Sequence, residues 1–284
     1  MKVKKSNPIG FCNGVTKAIE LVKEIREKYK DRNIFFVGNL VHNKHVVDNF
    51  LEQKIQIINL DDNVLNSFKN LKSDDIVIFS AHGHNLAYEE ILKEKGITFY
   101  DATCVKVKAI LAKISEFCGE IIYIGKKNHP ETEASLTYSK KIFLYDINEK
   151  FDYSKLKTDN PLIVNQSTLS FLELENIFKD IKNNVKNPIF SNEICGATRI
   201  RQEQILHIDE DVDLLIIVGD KTSNNSLKLY EIACNNLNVK TLFVNSANEL
   251  KTMNLHRYKH ALITSGTSAS MDTILEIEDY LRGI

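Results

Sequence analysis

Apolar runs rich in Ile, Val and Phe recur along the chain at residues 33–38, 74–80, 120–125, 141–146, 161–166, 213–219, 240–245 and 260–265. Several are apolar almost without a break, the pattern of strands buried on both faces of a parallel sheet. Between them the period lengthens. In GVTKAIELVKEIREKY, Val15, Ala18, Ile19, Val22, Ile25 and Tyr29 fall on one helical face. STLSFLELENIFKDIKNN carries a second helical pattern, with Ser170 and Glu173 placed for a capping box. Strands alternating with helices predict an α/β chain built on parallel sheets. No Ser/Gly linker or low-complexity tract interrupts it.

By length alone, 284 residues suggest two domains, or three small ones. The charge is nearly balanced, 37 basic against 38 acidic side chains, which argues against a general nucleic-acid binder. No apolar run reaches the ~18 residues of a membrane helix. No hydrophobic signal region follows Met1-Lys2-Val3-Lys4-Lys5, so a cytoplasmic protein is expected. In such a reducing compartment five cysteines do not read as a disulfide framework. No CxxC pair points to a zinc ribbon.

The cysteine spacing suggests a repeat. Cys12 to Cys104 is 92 residues and Cys104 to Cys195 is 91. GFCNGVTKAIELV, ATCVKVKAILAKI and EICGATRIRQEQIL each set a cysteine at a helix start. Two strands follow each, and their carboxyl ends are polar. These ends are GNLVHNKH and SAHGH, then GKKNHPE and NQSTLS, then GDKTSNNS and TSGTSAS. Parallel α/β sheets place ligands at the carboxyl ends of strands. The expected architecture is therefore three similar small α/β domains, 15–103, 104–191 and 192–284. Residues 1–14 contribute the N-terminal segment and the first cysteine. Packed about a pseudo-threefold axis, the domains would gather three cysteines and six strand ends at one place.

A thiol at a helix N-terminus is favoured as thiolate. Three thiolates spread over nearly 200 residues suit an iron–sulfur cluster at a domain junction. Zinc with a further ligand, or three buried core cysteines, are the alternatives. The glycines around Cys12, and Gly196 after Cys195, would let backbone come close to such a centre. Cys118 and Cys234 lie within helical apolar patterns and read as structural filler. His42, His82 and His129 each end a strand in a turn, at what look like equivalent places. With Ser223, Asn225, Ser268 and Thr198 they suit a small polyanion such as a diphosphate. No Walker loop or GxGxxG fingerprint indicates ATP or NAD. Glu131, after Pro130, is the carboxyl group placed to deliver a proton. Glu133 and the remaining histidines read as structural or surface residues.

Taken together, NPIGFCNGV, VHNKHVVD, SAHG, DATC, HPE, NQSTLS, EICGATRIRQE, KTSNNS and GTSAS resemble the 4-hydroxy-3-methylbut-2-enyl diphosphate reductase family over essentially the whole chain. The resemblance implies three α/β domains around a 4Fe–4S cluster held by Cys12, Cys104 and Cys195, with its fourth iron open to substrate. It implies diphosphate binding by His42, His82, His129, Ser223, Asn225 and Ser268. It makes Glu131 the proton-delivering carboxylate, with Gln166, Ser167 and Thr198 near the substrate hydroxyl. Ser167 stands where the family usually has threonine. Asn224 replaces the second serine of an SSN motif, so one diphosphate contact changes. Val105 replaces a proline, and the turn after Ser268 departs from the usual proline-aspartate. The implied reaction is reductive dehydroxylation to isopentenyl and dimethylallyl diphosphate, the last step of the methylerythritol phosphate route. Electrons would come from an external donor such as ferredoxin or flavodoxin, since no flavin or nicotinamide motif is visible. A non-catalytic iron–sulfur redox sensor or phosphometabolite-binding protein would use the same cysteines without needing Glu131. A zinc-stabilised phosphate-binding protein is the third reading.

Overall fold

The structure, a computed structural model, describes residues 1–60, 64–191 and 193–284. The chain opens on β1 (Lys2–Lys5). A first unit follows: α1 (Asn13–Lys28), β2 (Ile34–Val37), α2 (Lys44–Glu52), β3 (Ile55–Ile58), α3 (Val64–Asn70), β4 (Ile76–Phe79), α4 (Leu86–Glu94) and β5 (Thr98–Asp101). The second unit comprises α5 (Val105–Glu116), β6 (Ile121–Gly125), α6 (Pro130–Leu136), β7 (Ile142–Asp146), β8 (Leu162–Asn165), α7 (Phe171–Asn184) and β9 (Ile189–Phe190). The third comprises α8 (Gly196–Leu206), β10 (Leu214–Val218), α9 (Asn224–Asn236), β11 (Lys240–Val244), α10 (Ala247–Lys251), β12 (His260–Ser265) and α11 (Met271–Arg282).

Each unit carries one four-stranded parallel sheet, in the orders β3-β2-β4-β5, β7-β6-β8-β9 and β11-β10-β12-β1. The three orders are the same pattern. The third unit obtains its fourth strand from the N-terminus, where Val3 pairs with Ala261. Each of the three cysteines therefore follows the fourth strand of one sheet and begins the first helix of the next unit.

The central strands β4, β6, β8 and β10 are buried at every residue, because helices cover both faces of each sheet. Continuous apolar sequence is the consequence. In the first unit, α1 lays Val15, Ala18, Val22 and Ile25 against Ile34, Phe36, Ile76 and Ile78. Phe68 and Leu92 cover Val77 and Phe79 on the other face. Full burial of side chains of this size stabilises by roughly 1.5–3 kcal/mol each.

Four strands lie outside the apolar runs read from sequence: β1, β3, β5 and β9. They are short sheet edges of mixed burial, and KVKK in β1 hides only Val3. The capping box at α7 does not form. Ser170 caps by position without a side-chain bond, and Glu173 instead pairs with the buried Lys228 of α9 at 2.8 Å. Among the described residues, no helix is long and apolar enough to cross a membrane.

Candidate active site at the junction of the three units

The three cysteines are anchored by one repeated device. Cys12 N–H donates to Thr267 O at 2.9 Å, Cys104 N–H to Ala81 O at 3.0 Å and Cys195 N–H to Ser167 O at 3.0 Å. Each acceptor sits just after the third strand of the preceding unit, so the bonds close a cycle of three. Each cysteine is the N-cap of its helix, in extended or near-extended backbone, and none uses its sulfur for capping. All three thiols line one cleft of ≈ 460 Å³, rimmed by Lys17, Lys106 and Lys108.

Gly14 is what lets two of them meet. A Cβ there would stand 2.6 Å from Cys104 Sγ and 3.8 Å from Cys12 Sγ. Gly10, at φ +79°, turns the chain into Cys12 through backbone that side chains disfavour. A Cβ on Gly196 would meet no residue beyond its own chain neighbours and helix backbone within 4 Å, so the space at Gly196 is open among the described residues.

The helix start does not make Cys104 acidic. Burial pushes its thiol up, and neighbouring Cys12 and Cys195 add to the rise, against the N–H groups of Lys106 and Val107. A compensating positive centre is needed before all three can be thiolates. Among the described residues, no three His, Cys, Asp or Glu side chains are gathered tightly enough for one metal ion. A polynuclear cluster spreads its thiolates over several metal atoms. Three cysteines brought to one cleft are a donor set that fits an iron–sulfur cluster.

A second, smaller cavity of ≈ 60 Å³ is lined by His42, His82, His129, Ser223, Asn225 and Ser268, together with Asn224 and Thr168. The rings of His42 and His82 lie 4.4 Å apart between centroids, with His129 5.7 Å and 6.0 Å from them. His42 and His129 follow the first strand of their units, as Ser223 does, but His82 follows the third strand and matches Thr168 and Ser268. The three histidines are therefore not at equivalent places, although they converge.

Burial lowers the proton affinity of all three imidazoles. It lowers His42, against the pull of Asp220. It lowers His82 well below its ordinary value, helped by repulsion from its two neighbours. It takes His129 down to about 3, with His42 and Lys126 adding to the effect. His42 Nε2 and both amide atoms of Asn225 are buried without a hydrogen-bond partner. Orphaned polar atoms at a cluster of buried imidazoles mark a place made for a polar ligand.

Glu131 lies behind His129 in the first turn of α6. Its carboxylate accepts from Ser167 N–H at 2.7 Å and from Ser167 Oγ–H at 2.8 Å. Burial nevertheless dominates those two bonds and raises the carboxyl from 4.5 to about 7. The group holds a proton near neutral pH, as a general acid must. Ser167 O also accepts from Cys195 N–H, so one residue ties the acid to the cysteine junction.

Not every expected contact residue reaches the cavity wall. Glu131, Ser167 and Thr198 are buried and do not line it, Thr198 lying in the first turn of α8 with its N–H on Cys195 O at 2.9 Å. Gln166 is placed differently from a ligand-facing residue. Its amide oxygen accepts from Lys126 N–H at 3.0 Å and Thr132 Oγ at 3.3 Å, and its Nε2 donates to Thr168 Oγ at 2.8 Å. Gln166 thus braces the turn that presents Ser167. Cys118 and Cys234 are exposed, not core filler. Thr168 and Arg201 also belong to the site. Both lie inside motifs already singled out, but neither residue type signals a ligand by itself.

The family model described as LytB protein matches residues 3–282. This chain belongs to the LytB family. A 4-hydroxy-3-methylbut-2-enyl diphosphate reductase of Malacoplasma penetrans is 36% identical over 279 residues, covering 94% of this chain and 93% of that protein. One from Fusobacterium nucleatum is 36% identical across 100% of this chain, which spans only 34% of that longer relative. The solved E-1-hydroxy-2-methyl-but-2-enyl-4-diphosphate reductase of Plasmodium falciparum superposes with a TM-score of 0.82 at 28% identity, over 99% of this chain and 87% of that one.

The positions at which the sequence departs from the expected family pattern are accommodated in this LytB chain. Ser167 keeps the hydroxyl bond to Glu131. Asn224 Nδ2 donates to Thr168 O at 3.1 Å, joining the third unit to the second. Val105 stands 71% exposed at the start of α5, on the wall of the cysteine cleft. Ser268 Oγ donates to His42 O at 2.9 Å, and Ser270 in the altered turn caps α11 by accepting from Thr273 N–H at 3.2 Å.

Proposed function

We propose that this chain reduces 4-hydroxy-3-methylbut-2-enyl diphosphate to isopentenyl and dimethylallyl diphosphate, the last step of the methylerythritol phosphate route. The observation that carries this reading is Ser167, whose N–H and hydroxyl hold a protonated Glu131 while its carbonyl holds Cys195. A sensor or a phosphate-binding protein has no use for a buried acid tied to a cysteine ligand.

Cys12, Cys104 and Cys195 would hold a 4Fe–4S cluster, which when bound supplies electrons and an open coordination position to the substrate. His42, His82 and His129 take the diphosphate as N–H donors, with Asn225, Ser223 and Ser268. A diphosphate held there would set the allylic end toward the cysteine cleft. Glu131 gives its proton to the departing hydroxyl as the C–O bond breaks, and water leaves. Two electrons and two protons are consumed in all, the second proton forming the new C–H bond. The electrons come from an external one-electron donor such as ferredoxin or flavodoxin. The direct test is an anaerobic assay of cluster-replete protein with reduced ferredoxin or flavodoxin and the hydroxylated diphosphate. Both isopentenyl and dimethylallyl diphosphate are expected. Tight substrate binding without product would return the chain to the class of sensors or phosphometabolite binders.

An anion raises the proton affinity of the histidines around it. Inorganic diphosphate is therefore expected to bind with net proton uptake, and more tightly at pH 6 than at pH 8. Calorimetry in buffers of different ionisation heat reads the uptake directly. A lost charge-assisted hydrogen bond costs about 1.5–3 kcal/mol. His129→Ala should thus weaken diphosphate binding by roughly ten- to a hundredfold and reduce the uptake. Unchanged affinity would make the histidine structural.

A further inference from the structure

We propose that Arg201 is a positioning residue for the iron–sulfur centre, supplying the buried positive charge against which an electron is added there and clamping two of the cysteine segments together. The proposal rests on the cluster reading above. Arg201 lies on the second turn of α8, six residues beyond Cys195, and is only 1% exposed. Its NH2 donates to Gly10 O at 2.8 Å, a partner 191 residues away on the loop that enters Cys12. Its NH1 donates to Ala197 O at 2.9 Å, just after Cys195. The guanidinium thus joins the first and third cysteine segments.

Two carbonyls do not account for its charge. Arg201 Nε is buried with no hydrogen-bond partner, and among the described residues no carboxylate forms an ion pair with it. Arg199, two residues earlier, shows what an ordinary arginine does on this helix. It is exposed and pairs with Glu203 at 2.8 Å. A buried cation without a counter-charge is costly. The groups that act on its charge are the sulfurs of Cys12 and Cys195, which oppose the lowering of its proton affinity by burial and would be thiolates once they hold the cluster. A cluster on three thiolates is anionic and becomes more so with each electron it takes. A fixed cation in a low-dielectric site stabilises the reduced form more than the oxidised one. Arg201 transfers neither proton nor electron; the electron comes from the external one-electron donor.

Full-length protein reconstituted anaerobically with iron and sulfide tests this through Arg201→Gln and Arg201→Lys. Iron and sulfide per chain are measured first, then the reduction midpoint by spectroscopically monitored titration. Arg201→Lys should hold a full cluster with a midpoint near that of the parent. Arg201→Gln should favour the oxidised state by about tenfold, a fall of ~59 mV for a one-electron couple, and lose iron faster on dilution. A Gln variant with parental midpoint and iron content would overturn the proposal. So would Lys and Gln variants that shift alike, since shape and not charge would then matter. If the Gln variant does not fold, a Lys variant with a midpoint well below the parent still overturns it. Parent protein that takes up no iron and sulfide sinks the cluster reading itself, before any variant is compared.

Discussion

Cys12→Ser, Cys104→Ser and Cys195→Ser are each expected to lose the iron–sulfur chromophore and, with it, all measurable reduction of the diphosphate. The three thiols line one cleft and repeat one anchoring bond. Burial and like-charge neighbours already disfavour the Cys104 thiolate, so its ionisation must be driven by the centre it binds. A serine hydroxyl, far less acidic than a thiol, cannot be driven as far. Cys118→Ser and Cys234→Ser remove exposed thiols and should leave chromophore and turnover unchanged. Iron and sulfide quantitation after anaerobic purification separates the two groups. A full, stable cluster in all three of the first set would end the assignment.

Replacing Glu131 by Gln should retain the cluster and substrate binding while turnover falls by about 10²–10⁴, the typical contribution of a positioned general acid. Gln keeps the size and a hydrogen bond to Ser167 but carries no acidic proton. With the carboxyl near 7, turnover of the parent enzyme should decline as pH rises past neutrality, and the residual turnover of Glu131→Gln should lack that limb. Stability supplies an independent readout in the ligand-free protein. The folded-state pKa is raised above the unfolded 4.5, so the folded chain holds the extra proton across the window from 4.5 to about 7. Stability is therefore greatest below that window and is lost as pH rises through it. The loss is on the order of 3 kcal/mol relative to Glu131→Gln. Denaturant unfolding of both proteins at pH 5 and pH 8 measures it, and the histidine contributions cancel in the difference. A parallel pH dependence in the two proteins would mean that Glu131 is ionised throughout. Near-normal turnover of the Gln variant would place the proton source elsewhere.

The central strands were legible because helices bury both of their faces, so runs such as LLIIV in β10 need no polar position. The edges β1, β3, β5 and β9 were not, because a half-covered strand of four residues or fewer leaves no readable period. The cysteine spacing was legible because the three units are similar in length and each begins at the same point of its sheet. The histidines were legible as strand-end residues. Their equivalence was not real, since His82 follows a different strand of the unit from His42 and His129. That distinction depends on strand order, which hydrophobic pattern does not encode.

Local sequence thus determined the α/β class, the helix starts at Cys12, Cys104 and Cys195, and the chemistry of the candidate acid and anion ligands. Those properties follow from side-chain type and short-range periodicity. Only the tertiary structure decided that β1 completes the third sheet, that Ser167 links Glu131 to Cys195, and that Gln166 turns inward to brace a loop. It alone decided that Arg201 is buried with its guanidinium on Gly10. Each of these depends on residues far apart in the chain being brought into contact, and on burial that changes proton affinity without any change of residue.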